Sequence, residues 1–383
     1  MSEPIVSAKG LRLAIFSETY LPQVNGVTRT LERLTDAVRE RGGEVRVYTV
    51  SDENVVDQPH IERYASVPFW AYKELRLAWP SKKTVRKSVE KFRPTIIHAA
   101  TQFGLGLAAR RVAREMNIPF VTSYHTSLSA YASFYHLGAL AAPGWSYLRW
   151  FHNSGLRTYC PTNAIVREVE GHGFRNTALW SRGVDGELFS PAFRSTALRA
   201  SMGADDDTVV VTYVGRLAAE KGLDVVARAV QIASAKRPGK IAFACVGDGP
   251  YDAELRRMVP AGSWLPGKLL GQKLSEAYAS ADVFLFPSIT DTFGNVMLEA
   301  MASGLPVVGA DVGPTRELLG DNRGWLVTAG DAEAFADRLV ALVDDRRLLN
   351  EAKLRALQFA SQSSWNRVWN ALIGDYLLLQ KLL

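Results

Sequence analysis

The chain has 383 residues, of which 47% are hydrophobic and 22% are charged. This composition is ordinary for a globular protein and excludes disordered and fibrous classes, and the length suggests about two domains. The formal net charge of +6 is uneven, because residues 1–190 hold 24 Lys and Arg against 17 Asp and Glu, whereas residues 191–383 hold 21 against 22. A basic first half suggests an acidic partner, such as nucleic acid or an anionic membrane surface, and a merely solvated basic face explains the count equally well.

The cysteines and the apolar runs indicate where the protein works. Cys160 and Cys245 are far apart and lack the spacing of metal ligands, which indicates a reducing compartment. The N-terminus lacks the basic and apolar segments of a signal peptide, and no apolar run reaches the roughly 18–20 residues that span a membrane. We therefore expect a cytoplasmic protein that is soluble or peripheral to a membrane.

The chain opens with a predicted βαβ unit. Residues 11–16 form an apolar run typical of a buried strand, residues 27–41 have helical periodicity, and residues 45–50 predict a second strand. Gly26 lies just before the helix, but the G-x-G-x-x-G pattern of dinucleotide-binding proteins is missing. Residues 51–79 look irregular.

A basic amphipathic helix is predicted at residues 81–92, with Ser81 as its N-cap. Four of the cations on its outer faces and two preceding aromatic residues form one group: Lys82, Lys83, Arg86, Lys87, Trp70 and Trp79. This pattern is typical of an element that lies on a membrane surface. A solvated helix that packs on the sheet through three apolar residues is at least as common, and the neighbouring aromatic residues favour the membrane interpretation.

Only for His125, among the histidines, does the position in the predicted fold suggest a role in ligand binding. It follows residues 119–123, which predict a strand, and ligands of open α/β sheets bind at the carboxyl ends of strands. A lone histidine more often has a structural role, with its hydrogen bonds made inside the fold. Position alone therefore leaves both interpretations open.

The second half begins after a polar stretch, residues 190–207, that suits an interdomain linker. The acids at its end, Asp205, Asp206 and Asp207, could form a metal site. We favour a solvated turn, because no other ligand is near in sequence. The chain then repeats the strand, loop and helix pattern of its first half.

A strand-to-helix loop in this half carries two cations. Residues 208–214 predict a strand, and Gly215, Arg216 and Lys221 lie in the loop that follows. An Arg and a Lys in one such loop can hold a diphosphate, the Arg as a planar fork and the Lys as a point charge. Surface charge in a loop is the alternative interpretation.

The most informative stretch, residues 283–308, predicts a strand at 283–286, followed by a loop, a helix and a second strand. Asp291 lies in the loop, Gly294 at the helix start and Glu299 within the helix. The unpaired N–H groups and the dipole of a helix N-terminus favour anions, and nearby carboxylates suit a ligand with both phosphates and hydroxyls, such as a nucleotide sugar. An ordinary βα unit with surface acids would have the same spacing.

This stretch carries a family resemblance. The run from Asp291 through Phe-Gly to Glu-Ala-Met-Ala-Ser-Gly-Leu-Pro-Val resembles the signature of family-4 retaining glycosyltransferases, which have the GT-B fold. The resemblance implies that Asp291 contacts the hydroxyls of the donor sugar and that Glu299 holds the ribose. It also places the backbone of Gly294, Asn295 and Val296 at the sugar and the diphosphate. The first acid is more often Glu in the family, so Asp291 leaves the donor sugar open.

Other motifs carry the same resemblance. The element Gly215-Arg216-x-x-x-x-Lys221-Gly is similar to one whose cations bind the donor phosphates in this family. Gly26, within Pro-Gln-Val-Asn-Gly-Val, matches a glycine that lies against the diphosphate. His125 matches a histidine that contacts the donor sugar near its anomeric end.

The resemblance implies an α/β protein with the GT-B fold, in which two Rossmann-like domains face each other across a cleft. The first domain, residues 1–190, would bind the acceptor, and the second, residues 205–363, would bind the nucleotide sugar. The C-terminal helix, about residues 364–383, would cross back to the first domain, and its apolar stripe suits that role.

Within the family, the chain is similar to GDP-mannose-dependent α-mannosyltransferases and sulfoquinovosyl-diacylglycerol synthases, through Phe-His-Asn at 151–153 and Trp-Ser-Arg-Gly-Val-Asp at 180–185. This implies a retaining, metal-independent hexosyltransferase that uses GDP-mannose or a UDP-hexose, with a lipid acceptor at the inner face of an anionic membrane. No cofactor and no nucleic-acid partner is expected. The alternatives are a soluble acceptor, a GT-B-fold epimerase or phosphorylase, and a catalytically dead protein that binds membrane surfaces.

Overall fold

The structure of the protein is a computed structural model. It describes residues 4–23, 25–52, 58–69, 72–125, 141–320 and 322–382. The chain divides into two compact units, and each contains one parallel sheet. The first unit consists of Met1–Ser181 and Asn366–Leu383, and the second consists of Arg182–Trp365.

The first unit is built on seven parallel strands. The strands in chain order are β1 (Arg12–Phe16), β2 (Glu44–Val50), β3 (Ile61–Tyr64), β4 (Val67–Phe69), β5 (Tyr72–Leu77), β6 (Ile96–Ala99), β7 (Phe120–Ser123), β8 (Arg157–Cys160) and β9 (Thr177–Leu179). The described helices before the second unit are α1 (Gly26–Glu40), α2 (Lys82–Phe92), α3 (Gly104–Met116), α4 (Ala141–His152) and α5 (Asn163–Gly171). The sheet order is β3-β2-β1-β6-β7-β8-β9, and β4 and β5 form a separate antiparallel hairpin.

The sequence explains the start of this unit. In β1 only Arg12 is partly exposed, and β6 is buried throughout, which is the pattern of parallel strands covered on both faces. The Asn25 side chain caps α1 by accepting a hydrogen bond from the Thr28 amide at 2.9 Å. Ser81 caps α2 in the same way, with the Thr84 amide at 3.2 Å. The predicted βαβ start and the predicted N-cap of α2 are confirmed.

The prediction that residues 51–79 are irregular is wrong, because they contain β3, β4 and β5. The middle of β3 is Glu62-Arg63, so this four-residue edge strand lacks the apolar run that marks a buried strand. Helix α4 is also not predicted from the sequence. Pro143 and Gly144 near its start are poor helix formers, so the sequence gives a weak helical signal there.

The second unit contains a six-stranded parallel sheet. Its strands are β10 (Val209–Val214), β11 (Ile241–Val246), β12 (Trp264–Gly267), β13 (Val283–Phe286), β14 (Val307–Ala310) and β15 (Gly324–Val327). Its helices are α6 (Thr196–Ser201), α7 (Leu223–Lys236), α8 (Asp252–Met258), α9 (Gly271–Ser280), α10 (Asn295–Ala302), α11 (Gly313–Leu319), α12 (Ala332–Asp344) and α13 (Arg346–Gln362). The order β12-β11-β10-β13-β14-β15 reverses at β10, and ligands of such sheets bind where the order reverses.

Residues 190–207, expected to be a linker, contain α6 and lie in the second unit. The Arg199 guanidinium donates to the Asp282 carboxylate at 2.8 Å, and both side chains are buried. No local sequence pattern indicates this contact, because Arg199 and Asp282 are 83 positions apart in the chain. The turn predicted at the acidic cluster is confirmed, because the Asp205 carboxylate accepts from the Thr208 hydroxyl at 2.6 Å.

The last helix, α14 (Trp365–Leu379), belongs to the first unit from its second residue onward. Its buried face consists of Trp369, Leu372, Ile373, Tyr376 and Leu379. The Asp375 carboxylate on this helix accepts from the Arg157 guanidinium at 3.1 Å and from the Tyr159 hydroxyl at 2.7 Å. The predicted return of the C-terminal helix to the first domain is confirmed.

Candidate active site

The carboxyl ends of β10 and β13 bring together two side chains that are far apart in sequence. Lys221 follows β10, and Asp291 follows β13. The Lys221 ammonium lies 2.9 and 2.8 Å from the two carboxylate oxygens of Asp291. The two side chains are 17% and 28% exposed, so the ion pair is largely shielded from solvent and still reachable by a ligand.

The pKa of the Asp291 carboxyl is lowered. Burial alone would raise it, but the charge of Lys221 and hydrogen bonds from Lys221 and Ser288 outweigh the burial. Asp291 is therefore an anion at neutral pH with a fixed orientation. Such a carboxylate can accept hydrogen bonds from sugar hydroxyls, and the ammonium beside it can donate to a phosphate.

The loop after β10 is supported by a neighbouring Gly-Asp-Gly turn. The Leu217 amide donates to the Asp248 carbonyl at 2.8 Å. A Cβ at Gly247 would lie 1.9 Å from the Gly215 carbonyl oxygen, and a Cβ at Gly249 would lie 2.2 Å from the Leu217 carbonyl oxygen. Only glycine fits at both positions, so the turn fixes the loop backbone by close approach. Both glycines belong to the Gly-Asp-Gly-Pro motif at 247–250, which is typical of a turn and could have indicated them from the sequence.

Arg216 lies half-buried in the same loop. Its carbonyl accepts a hydrogen bond from the Tyr213 hydroxyl at 3.1 Å. Burial raises the pKa of Tyr213 well above its ordinary value, so this hydroxyl keeps its proton and remains a donor. Lys221 ends a 3₁₀ turn that closes at Gly222 with φ of +68°. Both predicted phosphate ligands thus come from one loop with a fixed backbone.

The N-terminus of α10 has the features of an anion site. Gly294 precedes it with φ of +83°, and a Cβ there would lie 2.7 Å from Met297 Cε and 2.8 Å from Phe286 Cζ, so glycine is required. No described side chain caps this helix, which leaves its first amides for a ligand. Among the described residues, the buried Oδ1 atom of Asn295 has no hydrogen-bond partner either. Asn295 and Val296, whose backbone the family resemblance places at the donor, are the first two residues of this helix.

Glu299 lies within α10, and its side chain is buried. Its Oε2 atom accepts a hydrogen bond at 3.0 Å from the hydroxyl of Tyr278, which lies on α9. A carboxylate accepts several hydrogen bonds, so this contact orients Glu299 and is compatible with a role at a ribose. The sequence patterns did not indicate Tyr278, because no motif surrounds it.

Two predicted site residues belong to the first unit. Gly26 is the first residue of α1, which follows β1, and β1 lies between β2 and β6 where that sheet reverses its strand order. His125 follows β7, and its Nε2 atom lies 2.7 Å from the Ser123 hydroxyl oxygen. Its ring meets the Trp180 ring edge-on at a centroid distance of 5.3 Å. The other predicted donor residues lie in the second unit.

Two of the four α2 cations in the predicted membrane group are paired with acids. The Lys82 ammonium lies 2.8 Å from the Glu115 carboxylate, and the Arg86 guanidinium lies 2.8 Å from that of Glu90. The membrane interpretation assumes that all four cations are available to an anionic surface. The pairing therefore reduces the positive charge that this helix presents.

The other two cations of this group, Lys83 and Lys87, are exposed and have no acidic partner among the described residues. Trp79, just before the helix, is 64% exposed. Trp70 lies outside the described residues. Of the helices that the structure describes, none combines the length and the apolar composition needed to cross a bilayer.

Clusters of metal-ligating side chains are missing from the described part of the chain. No three His, Cys, Asp or Glu side chains there lie close enough to hold a metal ion. Asp205 is engaged in its turn through Thr208 and the Asp207 amide at 3.0 Å.

Comparison with known proteins decides the family. Residues 24–188 match the family Glycosyltransferase Family 4, and residues 208–345 match the family Glycosyl transferases group 1. The GDP-mannose-dependent alpha-mannosyltransferase of Mycobacterium tuberculosis is 32% identical over 376 residues, which are 96% of this chain and 96% of that protein. The chain is a family-4 glycosyltransferase.

Other relatives of this glycosyltransferase agree. The sulfoquinovosyl transferase SQD2 of Arabidopsis thaliana is 33% identical over 90% of this chain and 69% of its own. The alpha-monoglucosyldiacylglycerol synthase of Streptococcus pneumoniae is 27% identical over 87% of this chain and 79% of its own. The predicted similarity to mannosyltransferases and sulfoquinovosyl transferases is confirmed.

A solved structure bears out the fold of the glycosyltransferase. Sucrose-phosphate synthase from Thermosynechococcus elongatus superposes with a TM-score of 0.77 at 20% identity, over 96% of this chain and 99% of that one. The predicted α/β architecture of two Rossmann-like domains, the GT-B fold, is confirmed.

Proposed function

We propose that this glycosyltransferase moves a hexose from a nucleotide diphosphate sugar to a hydroxyl of a membrane lipid, with retention of the anomeric configuration. The observation that carries the proposal is the Lys221–Asp291 pair beside the uncapped N-terminus of α10. In this assignment Arg216 and Lys221 bind the diphosphate, Asp291 binds the sugar hydroxyls, and Glu299 binds the ribose.

The chemistry follows from where charge develops. The bond from the anomeric carbon to the diphosphate breaks, and the acceptor oxygen bonds to that carbon on the same face. The acceptor proton passes to the departing phosphate oxygen. Two cations and the amides of α10 stabilise the charge that gathers on the leaving diphosphate, because they are already oriented before reaction. Asp291 is committed to sugar hydroxyls in this assignment, so no covalent sugar intermediate is invoked.

For the donor we propose GDP-mannose, with a UDP-hexose as the second candidate. The support is the 32% identity to a relative that is named for GDP-mannose. The shorter Asp291 carboxylate, where Glu is usual, bears on which hexose fits.

The purified enzyme is expected to transfer mannose from GDP-mannose to diacylglycerol or a related lipid in vesicles, with undiminished rate in EDTA. The reason is that Arg216, Lys221 and the α10 amides supply the positive charge that a divalent cation would otherwise supply. Labelled product is measured with GDP-mannose, UDP-glucose and UDP-galactose in parallel. A rate that collapses with chelator and returns with Mn²⁺ would refute the metal-free assignment, and hydrolysis without any acceptor product would refute transfer.

For the acceptor we propose a lipid on an anionic membrane, reached by the first unit from the cytoplasmic face. One support is the relative named alpha-monoglucosyldiacylglycerol synthase. The other is the charge balance of residues 1–190, with exposed Lys83, Lys87 and Trp79 around α2. Lysines near an anionic leaflet attract its lipids, and an exposed tryptophan suits the interface.

Replacing Lys83 and Lys87 together by serine is expected to weaken binding to anionic vesicles about 30-fold, because each lysine near the surface contributes about 1 kcal/mol. Lys82 and Arg86 should matter less, since each is paired with a glutamate. Co-sedimentation with vesicles of phosphatidylserine and phosphatidylcholine at low salt measures the change. Donor hydrolysis should be unchanged.

The matched control replaces Arg167 and Arg175 by serine, which removes the same charge from exposed positions elsewhere in the first unit. This control should bind vesicles like the wild type. Equal losses in both double variants would mean that net charge alone acts. A wild type that ignores vesicles and glycosylates a soluble hydroxyl compound well would replace the lipid acceptor by a soluble one.

A further inference from the structure

A chain of hydrogen bonds joins the C-terminal helix to His125. The Tyr376 hydroxyl oxygen on α14 lies 2.7 Å from Nδ1 of His98 on β6. The other ring nitrogen of His98, Nε2, lies 2.9 Å from the Ser123 hydroxyl oxygen. That oxygen lies 2.7 Å from Nε2 of His125. We call these four residues the His125 relay.

The centre of the relay is shut off from water. Tyr376, His98 and Ser123 are all buried. The His98 ring lies 5.9 Å from the Tyr159 ring, 5.6 Å from the Trp180 ring and 5.9 Å from the Tyr376 ring, measured between centroids. Burial lowers the pKa of His98 to about 3, so its imidazole is neutral. A neutral imidazole has one N–H donor and one acceptor nitrogen.

Counting hydrogens gives the relay a direction. Among the described residues, the Tyr376 hydroxyl has no other partner, so its hydrogen is donated to Nδ1 of His98. His98 then carries its own hydrogen on Nε2 and donates it to the Ser123 oxygen. Ser123 has a single hydroxyl hydrogen, which it donates to Nε2 of His125. The opposite direction would leave the Tyr376 hydrogen buried without an acceptor, which is costly.

We propose that Tyr376, His98 and Ser123 are positioning residues that fix the tautomer and the ring orientation of His125. In the resulting tautomer His125 accepts at Nε2 and carries its hydrogen on Nδ1. The inference rests on the proposed function and on the family resemblance, which implies that His125 contacts the donor sugar near its anomeric end. A fixed tautomer makes Nδ1 a hydrogen-bond donor rather than an acceptor, so any sugar oxygen that it meets must accept.

The test replaces Tyr376 by phenylalanine in the full chain, labelled with ring-¹⁵N histidine. The variant keeps the aromatic ring and removes the hydroxyl, so His98 can carry its hydrogen on either nitrogen. We expect the ¹⁵N resonances of His125, identified by their loss in His125→Gln, to move from the Nδ1–H pattern toward a mixture of tautomers. We expect kcat to fall about tenfold with little change in the donor KM.

Tyr159→Phe is the matched control. The Tyr159 ring lies 5.9 Å from the His98 ring and 5.7 Å from the Tyr376 ring, but its hydroxyl donates to Asp375 at 2.7 Å and stays outside the relay. This control also loses a buried hydroxyl from the same aromatic cluster. It should keep the His125 resonances and kcat of the wild type while its melting temperature falls.

Two results would overturn the proposal. One is an unchanged set of His125 resonances in Tyr376→Phe, because the hydroxyl would then not set the tautomer. The other is an equal loss of kcat in the Tyr376 and Tyr159 variants, because the effect would then be structural. A wild type without transferase activity would refute the proposed function instead, and the ¹⁵N measurement would still decide the relay.

Discussion

Replacing Lys221 by alanine is expected to lower kcat/KM for the nucleotide sugar about 10²–10³-fold while the protein still folds. The Lys221 ammonium contacts both oxygens of Asp291, at 2.9 and 2.8 Å, and in the proposed mechanism it also meets the leaving diphosphate. Its loss removes the positive charge that stabilises the leaving diphosphate. It also leaves the negative charge of Asp291 uncompensated beside that diphosphate. Arg216→Ala, in the same loop, should show a loss of the same order.

Lys236→Ala is the matched control for this prediction. Lys236 ends α7, the helix that starts just after Lys221, and its ammonium pairs with the exposed Asp337 at 2.6 Å. The control thus breaks another Lys–Asp pair at the far end of the same helix. Its initial rates should stay within about twofold of the wild type, because exposed pairs contribute little. Near-normal turnover of both Lys221→Ala and Arg216→Ala would remove the diphosphate assignment.

Replacing Asp282 by asparagine is expected to lower the free energy of unfolding by about 3–5 kcal/mol, because it leaves the buried Arg199 without its counter-charge. The Asp282 carboxylate forms ion pairs with Arg199, Lys353 and Arg194, at N–O distances of 2.8, 2.9 and 3.1 Å. The Asp282 side chain is 4% exposed. It also accepts from the Val210 amide at 3.0 Å, so it ties α6 and α13 to the sheet. Urea unfolding followed by tryptophan fluorescence measures the loss.

Asp337→Asn serves as the control, since it breaks an exposed pair and should cost less than about 1 kcal/mol. Acid adds a second test. Burial alone would raise the pKa of Asp282, but Lys353, the Val210 amide and Arg194 outweigh it and lower that pKa. The contribution of Asp282 is therefore present above the unfolded-state pKa of roughly 4 and is lost as pH falls below it. A wild type and an Asp282→Asn variant that unfold alike at pH 7 would contradict the assignment.

Much of the fold could be predicted because parallel strands covered on both faces are continuous apolar runs. β10 and β13 are buried throughout, and both were predicted with nearly their observed bounds. β3 and α6 could not be predicted in this way. β3 is a short polar edge strand, and α6 is held by Arg199, which resembles a surface cation until the fold brings it to Asp282.

The candidate site could be predicted as a set of residues and only partly as an arrangement. Motifs mark Lys221 and Asp291, but their ion pair depends on β10 and β13 being neighbours in the sheet. Tyr376 belongs to an apolar stripe in the sequence, and its hydroxyl finds His98 across 278 positions of the chain. Long-range polar contacts of this kind leave no local periodicity, so only the folded chain displays them.

The placement of α14 has a consequence for biosynthesis. The first unit is discontinuous, because Asn366–Leu383 completes Met1–Ser181. During synthesis, Arg157 and Tyr159 therefore emerge from the ribosome before Asp375, which accepts hydrogen bonds from both, has been added to the chain. Domains tend to fold as they emerge, and buried polar groups without partners are costly, so the nascent first unit must wait in an incomplete state. The first unit can complete its packing only after Asn366–Leu383 has been synthesised.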